Sequence, residues 1–440
     1  MTTRRAFLAA GAVAGGAAAS VGIGRAFAQG GRPPWGDSYS GGPVERAPDP
    51  PGRPQVDYLP VVTPNGAPLA WRDVDGAKVF HLTVDEVEHE FAPGLIAKCW
   101  GYDGRVNATT IEAVEGDRVR IYVTNRLPAP TTVHWHGIYL PNGMDGVSGL
   151  TQRPIPPGDT FKYEWTLRQS GTFMYHSHHD TMTQEGMGLT GMFIIHPRNP
   201  GDDARVDRDF SLLLNEYRVD AGTYRPVPNE SSEYNVLTIN GRAFPGTAPM
   251  VAKLGDRVRI RIGNLSQMDH HPIHLHGYRF RVAATDGERI SRSAQWPETT
   301  VLVAVGQTRE IEFVADAPGD WAMHCHMTHH MMNQMGHGTP NMVGVRPGNL
   351  DALVRPLLPR YMTMGQAGMG GMTMPLPENT ISMAKTAGPF APVSAGGMFT
   401  VLKVREGLDS YDDPGWYRHP DGTVAEPAIG DDLSRDGIET

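Results

Sequence analysis

The chain has only two cysteines in 440 residues, Cys99 and Cys325, too few for a disulfide-stapled scaffold. Basic residues are not in excess either. The formal net charge is −9 and the pI about 6.0, which argues against nucleic acid as the main partner. Beyond residue 30 no apolar run is long enough to span a bilayer. Hydrophobic residues make up 40% and charged residues 20%, so a folded core is expected rather than disorder. Glycine (52) and proline (37) account for roughly one residue in five, which suits short strands joined by many turns. Histidine (18) and methionine (21) are unusually frequent, and their placement carries most of the functional reading.

The first residues read as an address. Thr3-Arg4-Arg5-Ala6-Phe7-Leu8 sets a twin arginine ahead of a weakly apolar Ala/Gly/Val run, and Ala26-Phe27-Ala28 offers a small-residue cleavage site. The run is too short and glycine-rich for a membrane anchor. Residues 1–28 are therefore expected to be a twin-arginine signal peptide, removed from a periplasmic or secreted protein with no membrane attachment. Residues 29–57 form a Pro/Gly-rich linker.

The rest contains an internal repeat. EGDRVRIYVTN (115–125) returns as LGDRVRIRIGN (254–264), HWHG (134–137) as HLHG (274–277), and SGTFMYHSH (170–178) as PGDWAMHCH (318–326). Three blocks in the same order indicate a duplicated domain, with copies at 58–198 and 205–348. Alternation of charged and apolar residues in RVRIYV, TFKYEW (160–165) and TREIEFVA (308–315) predicts half-buried strands, separated by turns at sandwich spacing. Residues 349–440 read as an extension, Met/Gly-rich at 361–374, with a strand-like segment at 396–404 but no third copy of the repeat.

Ten histidines fall in four clusters: 134/136, 176/178, 271/274/276 and 324/326/330. In a strand, residues i and i+2 project from one face, so each His-x-His pair aims two imidazoles in one direction. A lone pair is an ordinary accident; four pairs, two at matching positions in each repeat, point to a metal. HCHMTHHMMNQM (324–335) decides which one. Cys325, His330 and Met335, with His271 as the second imidazole, make a thiolate, two-imidazole, thioether set suited to blue copper. Zinc favours several cysteines, or a carboxylate with an open position. Cys325 points opposite to its neighbours His324 and His326, so one strand can serve two metal sites.

At these motifs, HWHG, HSH, HPIHLHG and HCHMTHHMMNQM, the sequence closely resembles the multicopper oxidases, the laccase-like cupredoxin family, over about 58–348. The resemblance implies an all-β fold of two tandem cupredoxin-like Greek-key β-sandwiches, followed by the Met-rich extension. It also implies four coppers per chain. A type 1 copper takes His271, Cys325, His330 and, axially, Met335. The type 2 copper takes His134 and His274. One type 3 copper takes His136, His176 and His326, and its partner His178, His276 and His324. In the family, electrons from a small reductant enter at type 1, pass along His324-Cys325-His326, and reduce O₂ to water at the three-copper cluster. Asp145, in GMDG, matches an acidic residue kept near the type 2 water; read from its neighbours alone, it is a turn aspartate ahead of glycine.

Two departures narrow the resemblance. Only about 90 residues separate HSH from HPIHLHG, so the middle domain of three-domain relatives is missing. That resembles the two-domain, small-laccase type, which implies a homotrimer whose three-copper cluster lies between domain one of one subunit and domain two of the next; packing of the two domains within one chain is the alternative. Met331 follows His330 where many relatives carry an acid, which leaves the proton path open. His179, His270, His329 and His337 flank ligands but break register, His81, His89, His196 and His419 have no ligand pattern, and Cys99 reads as a buried thiol.

The expected activity is one-electron oxidation of phenolic or aromatic substrates, or of metal ions such as Cu(I), coupled to four-electron reduction of O₂. A copper nitrite reductase is the alternative enzyme, although in that family the blue site lies in the first domain. A periplasmic copper carrier is the non-enzymatic alternative, and it would not need an intact His-Cys-His bridge. Twelve of the 21 methionines lie between 323 and 383. They read either as gap-filling core or, at Met362, Met364, Met369, Met372 and Met374, as a thioether site for Cu(I). The same extension is a candidate cover that keeps bulky phenols from the type 1 site.

Overall fold

The half-buried strand RVRIYV is present as Arg118–Asn125, with Val119, Ile121 and Val123 inward and the arginines outward. In this computed structural model it lies in a sheet in the order Trp71–Val74, Ala77–Ala92, Arg118–Asn125, Thr160–Thr166, with Leu95–Tyr102 also paired to the long strand. The facing sheet runs Ala67–Pro68, Thr109–Val114, Thr190–His196, Gly171–His176, His134–His136. Phe80, Trp135, Tyr175 and Phe193 fill the space between them. The structure describes residues 49–201, 204–231, 234–333, 341–342, 353, 356–357, 362–363, 378–381, 386–428 and 430–439. The signal peptide, Met335, His337 and all of the Met-rich stretch except 362–363 lie outside them.

The second half repeats the plan. One sheet contains Val236–Ile239, Arg208–Tyr217, Arg257–Asn264, Thr308–Val314, Phe280–Thr285 and Glu288–Arg289; the other contains Met250–Lys253, Phe399–Arg405, Gly319–Cys325, His271–Leu275 and Thr300–Val303. The chain is thus nearly all β, 44% strand and 7% helix, as two cupredoxin-like sandwiches. No described helix is long and apolar enough to cross a membrane.

Two features were not apparent in the sequence. The strand-like segment of the extension is an interior strand of the second half, parallel to Met250–Lys253 and antiparallel to Gly319–Cys325. Leu402 and Val404 enter the same core as Ile273 and Cys325. The second difference concerns Arg257–Asn264, the repeat partner of Arg118–Asn125, which is buried on both faces. Arg259 and Arg261 are only 6% and 2% exposed. The first half covers them: Arg261 Nη1 donates to Thr172 Oγ1 at 2.8 Å, inside a buried network with Asp209, Glu310 and Glu312. Next to Thr172, a Cβ on Gly171 would stand 1.4 Å from the Gly287 carbonyl oxygen, so only glycine permits this approach of the two halves.

Candidate metal centre

In the second half, antiparallel pairing of His271–Leu275 with Gly319–Cys325 sets Ile273 opposite Cys325 and His274 opposite His324. The thiol of Cys325 therefore turns into the core while His324 turns to the other face. Within the core, Cys325 Sγ lies 3.5 Å from His330 Nδ1 and 3.7 Å from His271 Nδ1, and the two Nδ1 atoms are 3.1 Å apart. All three residues are buried. Burial pushes the Cys325 thiol up to about 12 and, with His330 beside it, depresses His271 to about 3. Three soft or borderline donor atoms converge here, and a metal bound among them would displace the thiol proton, which fits a thiolate-binding metal such as copper.

The far nitrogen of each imidazole is held as well. His271 Nε2 is hydrogen-bonded with Ser266 Oγ at 2.7 Å, and His330 Nε2 stands 3.4 Å from Asp269 Oδ2. Such outer partners fix the tautomer and aim Nδ1 at the metal. The loop carrying them is braced by Glu216, whose Oε1 accepts from the backbone N–H of Met268 and of Asp269, and by Asn264, whose Oδ1 accepts from Ser266 N. From the other side the chain returns at 396–399: Met398 N donates to the His330 carbonyl and Cys325 N to the Met398 carbonyl. A Cβ on Gly397 would meet the His330 oxygen at 2.3 Å.

The remaining eight histidines form two separate quartets. His134 is 5.8, 5.2 and 5.5 Å from His136, His176 and His178 between ring centroids. In the other half, His274 is 4.8, 5.8 and 5.7 Å from His276, His324 and His326, with His276 Nε2 3.0 Å from His324 Nε2. Among the described residues no ring of one quartet touches a ring of the other. The groups whose ligand atoms converge within 4.8 Å are His134/His136/His176 and His271/Cys325/His330. The pairs and triplets expected for type 2 and type 3 copper, each drawing on both halves, are therefore not brought together within one chain. Burial, reinforced by neighbouring imidazoles, lowers His136 to about 4 and also lowers His276 and His324, which leaves neutral rings able to bind a metal.

Several partners of these histidines have no signal in the sequence. The short helix Thr181–Gly186 folds back on the HSH segment, so that Gln184 Oε1 accepts from Ser177 and Thr131 while Glu185 Oε1 lies 2.7 Å from His176 Nδ1. Burial alone would lower the pKa of His176; Glu185 raises it. His134 Nδ1 donates to the Asp145 carbonyl at 2.8 Å, with the Asp145 carboxylate at 3.4 Å, so this aspartate serves the turn and the histidine at once. His274 Nδ1 is fixed by the Thr299 carbonyl at 2.6 Å. Met331 packs beside Phe244, Phe399 and Val401. His179 meets Ser148, His270 meets the Val305 backbone, His89 meets the Gly241 carbonyl and His196 meets Glu112.

Two multicopper oxidase family descriptions match the chain, one over residues 83–200 and one over 217–342, together more than half of it. The chain belongs to the multicopper oxidase family. It is 30% identical over 307 residues to copper resistance protein A of Pseudomonas syringae pv. tomato, covering 59% of this chain and 48% of that protein. It is also 30% identical over 275 residues to a probable nitrite reductase-hydroxylamine oxidoreductase fusion protein of Kuenenia stuttgartiensis, covering 59% of this chain and 31% of the other. This multicopper oxidase thus spans less than half of the length of each of these curated relatives. In fold it is similar to the blue copper oxidase of Nitrosomonas europaea, at 25% identity and a TM-score of 0.55, over 74% of this chain and 85% of that one.

Proposed function

We propose that the chain is a dioxygen-reducing copper oxidase, with a blue copper at His271, Cys325 and His330 and a three-copper cluster completed between two copies of the chain. The observation that carries this reading is the strand ending at Cys325. Its thiol joins the buried trio on one face, while His324, one residue earlier, joins an imidazole quartet on the other. Copper bound at these groups supplies one-electron redox chemistry at the trio and the four-electron reduction of dioxygen to water at the histidines, four ions per chain in all. Met335 completes the trio as the axial donor in this proposal.

The chain's own residues then have defined tasks. On metal binding Cys325 would release its proton to solvent and ligate as thiolate, and its covalent links to His324 and His326 would offer a through-bond path between the two sites. Ser266 and Asp269 hold the trio's imidazoles. Met268, 58% exposed, lies next to Asp269 and offers a small reductant an approach to His330. Asp145 and Glu185 are carboxylates beside ligand histidines, placed to pass protons to the oxygen-reducing side.

The shared cluster is supported by what each quartet leaves open. His276 and His326 are exposed. Leu302, 54% exposed, pairs with Pro272 on the second half's edge strand, while Leu150 (80%) and Met182 (48%) flank the first quartet. Exposed apolar residues around an incomplete set of ligands favour a head-to-tail ring, and a trimer closes it. The leader sequence supports twin-arginine export to the periplasm. The likeness to copper resistance protein A supports Cu(I) as reductant beside phenols and aromatic amines.

The test is made on copper-loaded protein. About four coppers per chain, an absorption band near 600 nm and O₂ uptake without peroxide during ABTS or Cu(I) oxidation are expected. Two coppers per chain, with nitrite rather than O₂ consumed, would transfer the reading to a nitrite reductase.

A further inference from the structure

The second half carries a groove of about 410 Å³ that contains no candidate copper ligand. Its walls come from Arg257–Asn264, Phe280–Thr285 and Thr308–Val314, and from the turn Arg292–Ala294. Arg257, Arg279, Arg281 and Arg292 all line it. Arg279 and Arg281 stand at i and i+2 along one strand and its approach, so both reach the same side of the sheet.

The groove holds one carboxylate for four guanidinium groups. Its one carboxylate, Glu312, already accepts from Arg259 at 2.7 and 2.8 Å and from Arg289 at 2.8 and 3.1 Å. Arg279, Arg281 and Arg292 make no ion pair with any described carboxylate. In a chain of net charge −9, three unmatched guanidinium groups on one groove are a local exception. Crowded like charges raise the free energy of the folded state unless a counter-charge joins them. Guanidinium forks match carboxylates in a bidentate geometry. The wall beside them is apolar, formed by Val206 and by Val314, which is 48% exposed. The volume suits a small organic molecule.

We propose that this groove binds organic polyanions: small molecules with two or more carboxylates on an aromatic frame. The carboxylates pair with Arg279, Arg281 and Arg292, and the frame lies on Val314 and Val206. This site is independent of the copper chemistry.

Calorimetric titration of the copper-loaded, full-length protein with benzene-1,3,5-tricarboxylate, and separately with inorganic phosphate, tests it. Saturable 1:1 binding of the tricarboxylate is expected, at least tenfold tighter than phosphate and weakening with added NaCl. R279Q/R281Q/R292Q and, separately, V314E should each lose at least tenfold in affinity while keeping the wild-type absorption near 600 nm. V314E alters one exposed side chain, so it decides the matter if the triple variant folds poorly. Absence of saturable binding, unchanged affinity in V314E, or phosphate binding as tightly as the tricarboxylate would each overturn the proposal.

Discussion

Phe399 lies nearly parallel to the imidazole of His324, with ring centroids 6.0 Å apart and planes 18° from parallel. The two residues are far apart in sequence, yet their backbones pair across antiparallel strands. A histidine of the proposed oxygen-reducing cluster is thus supported by a strand from near the C-terminus. The adjoining residues Gly396–Met398 hold the backbone of the His330 loop.

Removing residues 361–440 therefore takes out a structural strand, and it is not a clean test of whether the extension covers the type 1 site. That deletion should abolish the 600 nm band and lower the yield of folded protein. Deleting only 361–374 should leave the band intact. Phe399→Ala should cost about 3–5 kcal/mol of stability, read by denaturant unfolding.

Ser266→Ala removes the hydrogen-bond partner of His271 Nε2 and leaves all three ligating atoms of the trio in place. Loss of such an outer partner typically weakens metal affinity by roughly 10–100-fold. Competition with a copper chelator should show that loss at the blue copper, with the melting temperature of the metal-free protein little changed. Equal affinity in both proteins would remove Ser266 from the site.

Glu216 gives a pH dependence of definite sign. Burial, with the Asp269 charge beside it, raises its pKa well above the ordinary value in the folded chain. The folded state therefore keeps a proton that the unfolded state releases above about pH 4.3. Its contribution to stability is full below that pH and declines as pH rises toward the folded-state pKa. Glu216→Gln keeps the hydrogen bonds without the titration. Metal-free variant and wild type should unfold at similar denaturant concentrations at pH 4, and the variant should be the more stable at pH 7. A constant difference across that range would contradict the assignment.

The seam between the halves behaves in the opposite way. Burial works to raise the pKa of Asp209, but Arg261 and Arg259 outweigh it and hold the carboxyl below its usual value. Its stabilisation is present above the unfolded-state pKa and lost as pH falls through the folded one. Asp209→Ala leaves two buried guanidinium groups short of a partner and should cost about 3–5 kcal/mol at neutral pH. Equilibrium denaturation against pH measures both effects.

The sequence was most informative where chemistry follows from local spacing. His-x-His pairs at period two, the repeat of RVRI, and Cys325 between two histidines are readable because a strand projects i and i+2 together. It was silent where contacts depend on how distant loops return. Glu185, Ser266, Asp269 and Thr299 reach the clustered histidines only through the folded path of their loops, and no periodicity marks them. The strand at 399–405 was recognisable as a strand, but its place beside Cys325 was hidden behind the long stretch that separates them. Arg259 and Arg261 alternate like surface residues, and only the covering first half makes them interior.

The central claim, that one cluster draws histidines from two copies, is tested most directly by subunit complementation. One chain carries His136→Ala/His178→Ala and the other His274→Ala/His276→Ala; neither change touches the blue-copper trio. Each variant alone should keep the 600 nm band and show no O₂ uptake. Co-expressed with different tags and isolated as mixed oligomers, they should recover O₂ uptake and additional copper, because some interfaces then contain two unaltered quartets. Mixed oligomers without activity, or a complete cluster in an isolated wild-type monomer, would contradict the account.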